Sequence, residues 1–144
     1  MKTLYLCCIT FLFLLGCSSR QNIDTLYTDI GGNETLDKVY GLALNKIYND
    51  PVLSAKFSGV PKKHLREMLT EQTCQLIGGP CVYSGKSMPE AHSEAVVTEA
   101  EFYSLVEYVQ QAMRQIGLTY QQENLILQKL APLKGQIVYQ AVGN

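Results

Sequence analysis

The feature that most constrains this chain is the helical period of its apolar residues, which recurs from end to end with no credible alternating strand between. Leu36, Val39, Tyr40, Ala43, Leu44, Ile47 and Tyr48 follow one another at alternating steps of three and one, so a helix lays them on one face. Gly31-Gly32-Asn33 precedes that run and Asn49-Asp50-Pro51 closes it. Leu65, Met68, Leu69, Leu76 and Ile77 make a second face, entered after Pro61 and stopped by Gly78-Gly79-Pro80, where proline and glycine act as start and stop signals. Thr98-x-x-Glu101 and Thr119-x-x-Gln122 match the capping box, in which hydroxyl and later side chain satisfy free backbone N–H groups at a helix start. Behind the first lies the stripe Phe102, Leu105, Val106, Val109, Met113 and Ile116; behind the second lie Leu125, Ile126, Leu130, Leu133 and Ile137. Several amphipathic helices with short connections predict an all-α domain.

The chain's 144 residues leave room for one such domain and one core. A net charge of −1 offers neither a nucleic-acid footprint nor an acidic interaction tail. The first residues read differently. Met1-Lys2 is a positive start, and Leu4 to Leu15 is an apolar run broken only by Thr10, short for a permanent bilayer span and of the length of a secretory core. Leu14-Leu15-Gly16-Cys17-Ser18-Ser19 resembles the bacterial lipobox, so the expectation is a signal peptide over 1–16, a lipidated Cys17 opening a tether over 17–24, and a domain over 25–140. Ser18 rather than Asp after the cysteine favours the outer membrane over the inner one, with the domain facing the periplasm. The competing reading is an ordinary signal peptide with a chance cysteine, or an uncleaved anchor. Cys7 and Cys8 leave with the signal; Cys74 and Cys81 remain, either bridged or as two half-buried thiols.

Between Gly79 and Thr98 the periodicity lapses. Tyr83-Ser84-Gly85-Lys86-Ser87-Met88-Pro89-Glu90-Ala91-His92 reads as an irregular loop and then a short helix begun near Pro89, with His92 about one turn inside it. Here the chain resembles a group I truncated haemoglobin from Thr25 to about Gln140. The resemblance is carried by Leu26-Tyr27-x-x-Ile30-Gly31-Gly32, by Asp50-x-x-Leu53-x-x-x-Phe57-Ser58-Gly59-Val60, by Gly78-Gly79-Pro80-x-x-Tyr83-x-Gly85-x-x-Met88-x-x-x-His92, and by Thr98-x-x-x-Phe102 with the later Ala131-Pro132-Leu133. It implies a two-on-two helical sandwich around haem b, with a diatomic gas as ligand.

The resemblance makes His92 the haem-iron ligand and Phe57 the ring stacked on the porphyrin, with Met88 and Phe102 packing on the histidine's side. Relatives typically place a Tyr and a Gln opposite, donors that hold the bound gas; here those positions carry Leu44 and Leu69, with Leu65 on the same face. The expected distal pocket is therefore apolar, and Tyr40 or Gln72, each one helical turn away, are the alternative donors. Without a donor, gas affinity loses a buried hydrogen bond of roughly 1–3 kcal/mol. Met68, beside Leu69, offers a thioether that can bind haem iron axially, though ordinary packing at the pocket rim is the favoured explanation. His64, Lys62, Lys63, Arg66 and Lys86 are candidate neighbours of the haem propionates. The implied function is reversible gas binding at the envelope, extending to nitric oxide detoxification with an external reductase, because no flavin or nicotinamide motif is present. A haem carrier, gas sensor or electron-transfer module is the alternative.

Overall fold

The computed structural model describes residues 23–139, so the signal segment and Cys17 lie outside the described residues. Helices α1 (Ile23–Asp29), α2 (Gly32–Ile47), α3 (Lys62–Leu76), α4 (Met88–Ala91), α5 (Glu99–Gln115), α6 (Tyr120–Leu130) and α7 (Lys134–Ile137) follow in order. Short 3₁₀ turns occupy Ser54–Phe57 and Ala131–Leu133. Among the described residues the only β-type pairing is an isolated bridge between Val97 and Val138. None of these helices is long and apolar enough to cross a membrane.

The local chemistry explains the boundaries. Gly31 and Gly32 sit at φ 91° and 68°, a left-handed pair that side chains resist, and this turns the chain sharply from α1 into α2. A Cβ at Gly32 would also stand 3.2 Å from the Tyr27 ring. Both expected capping boxes are formed: Thr98 Oγ1 accepts from the Glu101 amide, and Thr119 Oγ1 from the Gln122 amide, each at 3.2 Å. A third opens α4, where Ser87 and Glu90 cap each other.

The long helices close on one another as two layered pairs. α2 packs on α3 and α5, α5 on α6, and α6 back on α3, which is the two-on-two arrangement. Leu36, Val39, Ala43, Leu44 and Ile47 of α2 are all fully buried at its centre, with Cys74 of α3, Ile77 just after α3, and Ala112 and Met113 from α5. Each large aliphatic side chain so buried contributes about 1.5–3 kcal/mol.

One core position contradicts the sequence pattern. Glu123 is 1% exposed. Its carboxylate accepts from Arg114 Nε at 2.9 Å, Arg114 Nη2 at 2.7 Å and Gln110 Nε2 at 2.9 Å, a bidentate arrangement that offsets desolvation and ties α6 to α5. Arg114's paired guanidinium holds the Glu123 carboxyl below its ordinary value.

Candidate functional site

His92 stands at the end of α4, as its C-terminal cap, one position beyond the helix rather than a turn inside it. Four residues cannot hold a helix by themselves, and α4 exists because its neighbours fix it. Ser87 and Glu90 close its first turn, with Ser87 Oγ donating to Glu90 Oε2 at 2.6 Å. Met88 is buried, and α4 packs on α7. Beyond His92, Lys56 donates to the Val96 carbonyl at 2.7 Å and pairs with Glu101 at 3.1 Å. The Tyr139 amide donates to the Val97 carbonyl at 2.9 Å. The chain is thus pinned before and after the histidine.

The imidazole has a defined orientation. Its Nδ1 lies 2.9 Å from the Met88 carbonyl oxygen. A carbonyl can only accept, so Nδ1 carries the proton and, in the neutral ring, Nε2 keeps its lone pair for another partner. A histidine whose second nitrogen is committed to a backbone carbonyl has the outer-shell geometry of a metal ligand. Among the described residues no group of three or more His, Cys, Asp or Glu side chains could hold a metal ion. Iron already held by a porphyrin requires only one such protein ligand.

Apolar side chains on the surrounding elements remain only half-buried. They include Phe57, Leu65, Met68 and Leu69, then Phe102, Leu105 and Val106 on α5, and Leu130, Leu133 and Ile137 near the C-terminus. Phe57 stacks on Tyr48 with ring centroids 5.7 Å apart, and Phe102 meets Tyr103 edge-on at 5.8 Å. Leu44 is wholly buried, and Leu65 and Leu69 pack on the same core. Those three positions supply no hydrogen-bond donor from their side chains.

The two alternative donors are otherwise engaged. The Tyr40 hydroxyl is buried and hydrogen-bonded to Thr73 Oγ1, and burial pushes its phenol up to about 12. Gln72 Nε2 donates to Met88 Sδ at 3.6 Å, which turns it toward α4. Both alternatives are thus engaged within the protein, Tyr40 with Thr73 and Gln72 with Met88. Thr70 Oγ1 is buried with no hydrogen-bond partner, and no sequence pattern singled it out. Thr73 and Glu123 were likewise missed, since an isolated polar residue within an apolar period carries no sign of its partner.

Among the candidate propionate neighbours, Lys62 bonds Asn45 Oδ1 and lies 5.6 Å from the Tyr48 ring centre. Arg66 pairs with Asp37 at 3.0 Å, and Lys63 lies 3.9 Å from Glu67. His64 and Lys86 are exposed. Cys74 and Cys81 are bridged, with Cα atoms 5.8 Å apart.

Two layered helix pairs, a short histidine-bearing helix and a pinned imidazole define a shortened globin. Comparison with known proteins agrees. The profile of the family described as Bacterial-like globin matches residues 25–139, and the chain belongs to that family. It is 25% identical over 116 residues to the group 1 truncated hemoglobin GlbN of Nostoc sp. (strain MUN 8820), covering 81% of this chain and 98% of that one. It is 26% identical over 95 residues to the group 1 truncated hemoglobin of Tetrahymena pyriformis, covering 66% and 78%. The Fe(III) crystal structure of the Tetrahymena pyriformis protein superposes with TM-score 0.75 at 22% identity, over 80% of this chain and 98% of that one. The truncated hemoglobin THB11 of Chlamydomonas reinhardtii does so at 0.69 and 27% identity, over 83% and 98%.

Proposed function

We propose that this chain binds haem b through His92 Nε2 and presents the opposite side of the iron to a diatomic gas, at a bacterial cell envelope to which a lipidated Cys17 anchors it. The hydrogen bond from His92 Nδ1 to the Met88 carbonyl carries this reading. It fixes the tautomer a metal ligand needs, raises the basicity of Nε2 and sets the ring's plane before any cofactor arrives. The half-buried apolar side chains fit the same conclusion, because a flat hydrophobic cofactor gains most by covering such surfaces.

On the gas side, the chain's own groups exclude water and withhold hydrogen bonds: Leu44 and Leu69 are aliphatic, and Tyr40 and Gln72 are committed elsewhere. Haem, when bound, supplies reversible gas affinity and, with oxygen and nitric oxide, oxidation of nitric oxide to nitrate that leaves ferric iron for an external reductase to restore. A face without donors favours rapid exchange over storage. The alternative, a haem carrier, sensor or electron-transfer module, gains weight from that same bare face.

Mixing the oxygenated ferrous protein with nitric oxide tests the reading. Stoichiometric nitrate and ferric protein are expected, with oxygen dissociation that is fast and unchanged in Tyr40→Phe. Slow dissociation accelerated by that substitution would contradict the donor-free face, and no nitrate would leave the carrier or sensor. A ferric spectrum that changes from low to high spin in Met68→Ala would identify Met68 as a sixth ligand.

A further inference from the structure

The chain from Ile77 to Ser87 forms no regular secondary structure, yet it is fastened to α3 at successive points. Cys81 is covalently joined to Cys74. The Tyr83 amide donates to Gln75 Oε1 at 2.6 Å, and the Ser84 hydroxyl and amide donate to Glu71 Oε2 at 2.8 and 3.3 Å. Gln72 reaches Met88 Sδ. All of these partners lie between Glu71 and Gln75, in the last turns of α3. The strap ends at Met88, whose carbonyl accepts the His92 Nδ1 proton. The helix carrying Leu65, Met68 and Leu69 and the histidine opposite are therefore mechanically joined.

The fastenings are unequal. The bonds of Tyr83 and Ser84 lie in exposed surroundings, where water competes for every donor. The disulfide alone is covalent. Its packing is tight, since a Cβ at Gly79 would stand 2.5 Å from Cys74 Sγ and 2.6 Å from the Tyr27 ring. Cys74 is completely buried and Cys81 half-buried, so a nucleophile reaches the Cys81 sulfur first.

Resting on the haem reading above, we infer that the Cys74–Cys81 bond is a redox-sensitive positioning device for His92. Closed, it holds the strap in register on α3 so that the Met88 carbonyl meets His92 Nδ1 and haem is retained; opened, the strap slips and haem leaves faster. The opening agent is a dithiol. Its thiolate attacks Cys81 Sγ, the S–S bond breaks, and Cys74 departs and takes a proton. The second thiol of the same molecule then resolves the mixed disulfide, so that two electrons and two protons pass to the cysteines and the dithiol ends as a disulfide.

The test compares haem-loaded full-length protein in oxidised form with the same protein reduced by dithiothreitol and desalted anaerobically, scoring haem transfer to an excess of an apo-globin scavenger. Transfer is expected to be about tenfold faster after reduction, the low end of what loss of an outer-shell partner costs a metal site. Re-oxidation should restore the slow rate, and far-ultraviolet dichroism should show the helices intact in both. The Cys74→Ser/Cys81→Ser protein should transfer at the fast rate whether or not dithiothreitol has been added. Should that double variant fail to fold, Glu71→Ala, which cuts an exposed fastening and leaves both cysteines, should speed transfer modestly in the oxidised form and further in the reduced one. Equal rates in oxidised and reduced protein, with the thiols shown to be free, would overturn the inference while leaving haem binding intact. Failure of the oxidised protein to bind haem would instead overturn the haem reading and this inference with it.

Discussion

Burial keeps the Tyr40 phenol protonated far above neutral pH, so its bond to Thr73 persists throughout the physiological range. Tyr40→Phe strands a buried Thr73 hydroxyl and should cost about 1–3 kcal/mol in a urea titration; adding Thr73→Val should recover much of that loss, because an apolar pair needs no partner. Thr70 is the opposite case. Its hydroxyl is already buried and unpaired, so Thr70→Val should stabilise the protein by about 1 kcal/mol, and a measured loss would show that the hydroxyl has a role. At this scale the sequence was legible in types and blind to partners. The period placed Tyr40 on the buried face of α2, but nothing along the chain announced that the hydroxyl of a threonine thirty-odd positions later would pair with its own.

At the level of elements, the capping boxes at Thr98 and Thr119 could be read directly because every participant lies within three residues. The same rule was available at Ser87-x-x-Glu90, which starts the helix at Met88, one residue before Pro89; the helix then ends at Ala91, so His92 caps it instead of lying within it. This box matters more than the others because the helix it opens is only four residues long. Ser87→Ala should cost about 1 kcal/mol, and because that loss falls on the element that presents His92, haem dissociation should accelerate in parallel. Thr98→Ala should cost a similar amount without that acceleration. A stopped-flow measurement of haem transfer on both variants, beside their denaturant midpoints, distinguishes the two. The strap could not be anticipated in this way: its fastenings join residues 71–75 to 81–88, and only the cysteine pair hinted at them.

For the whole molecule, the all-α class followed from periodicity and punctuation, since short local signals repeated over four long helices determine how many faces must be buried, whereas the two-on-two layering was implied only by the family resemblance. Glu123 departs from that pattern, with consequences for acid stability. Its folded carboxyl titrates below its ordinary value of 4.5 because of Arg114; the stabilisation is therefore complete above the unfolded value and is lost as pH falls through the folded one. Glu123→Gln should destabilise the protein by about 1.5–3 kcal/mol at neutral pH. The gap to the unsubstituted protein should close as acid protonates Glu123, and urea midpoints over a descending pH series measure it. A gap that stayed constant would mean that the carboxylate's charge contributes nothing.

The central claim is that His92, of the chain's two histidines, holds the haem iron. Titrating ferric haem into the full-length protein and its His64→Ala and His92→Ala variants, with the Soret band as readout, tests this directly. The unsubstituted protein and His64→Ala should saturate at one haem per chain with the same band, and His92→Ala should lose it or bind far more weakly. No Soret band in the unsubstituted protein, or one that His92→Ala leaves unchanged, would contradict the account.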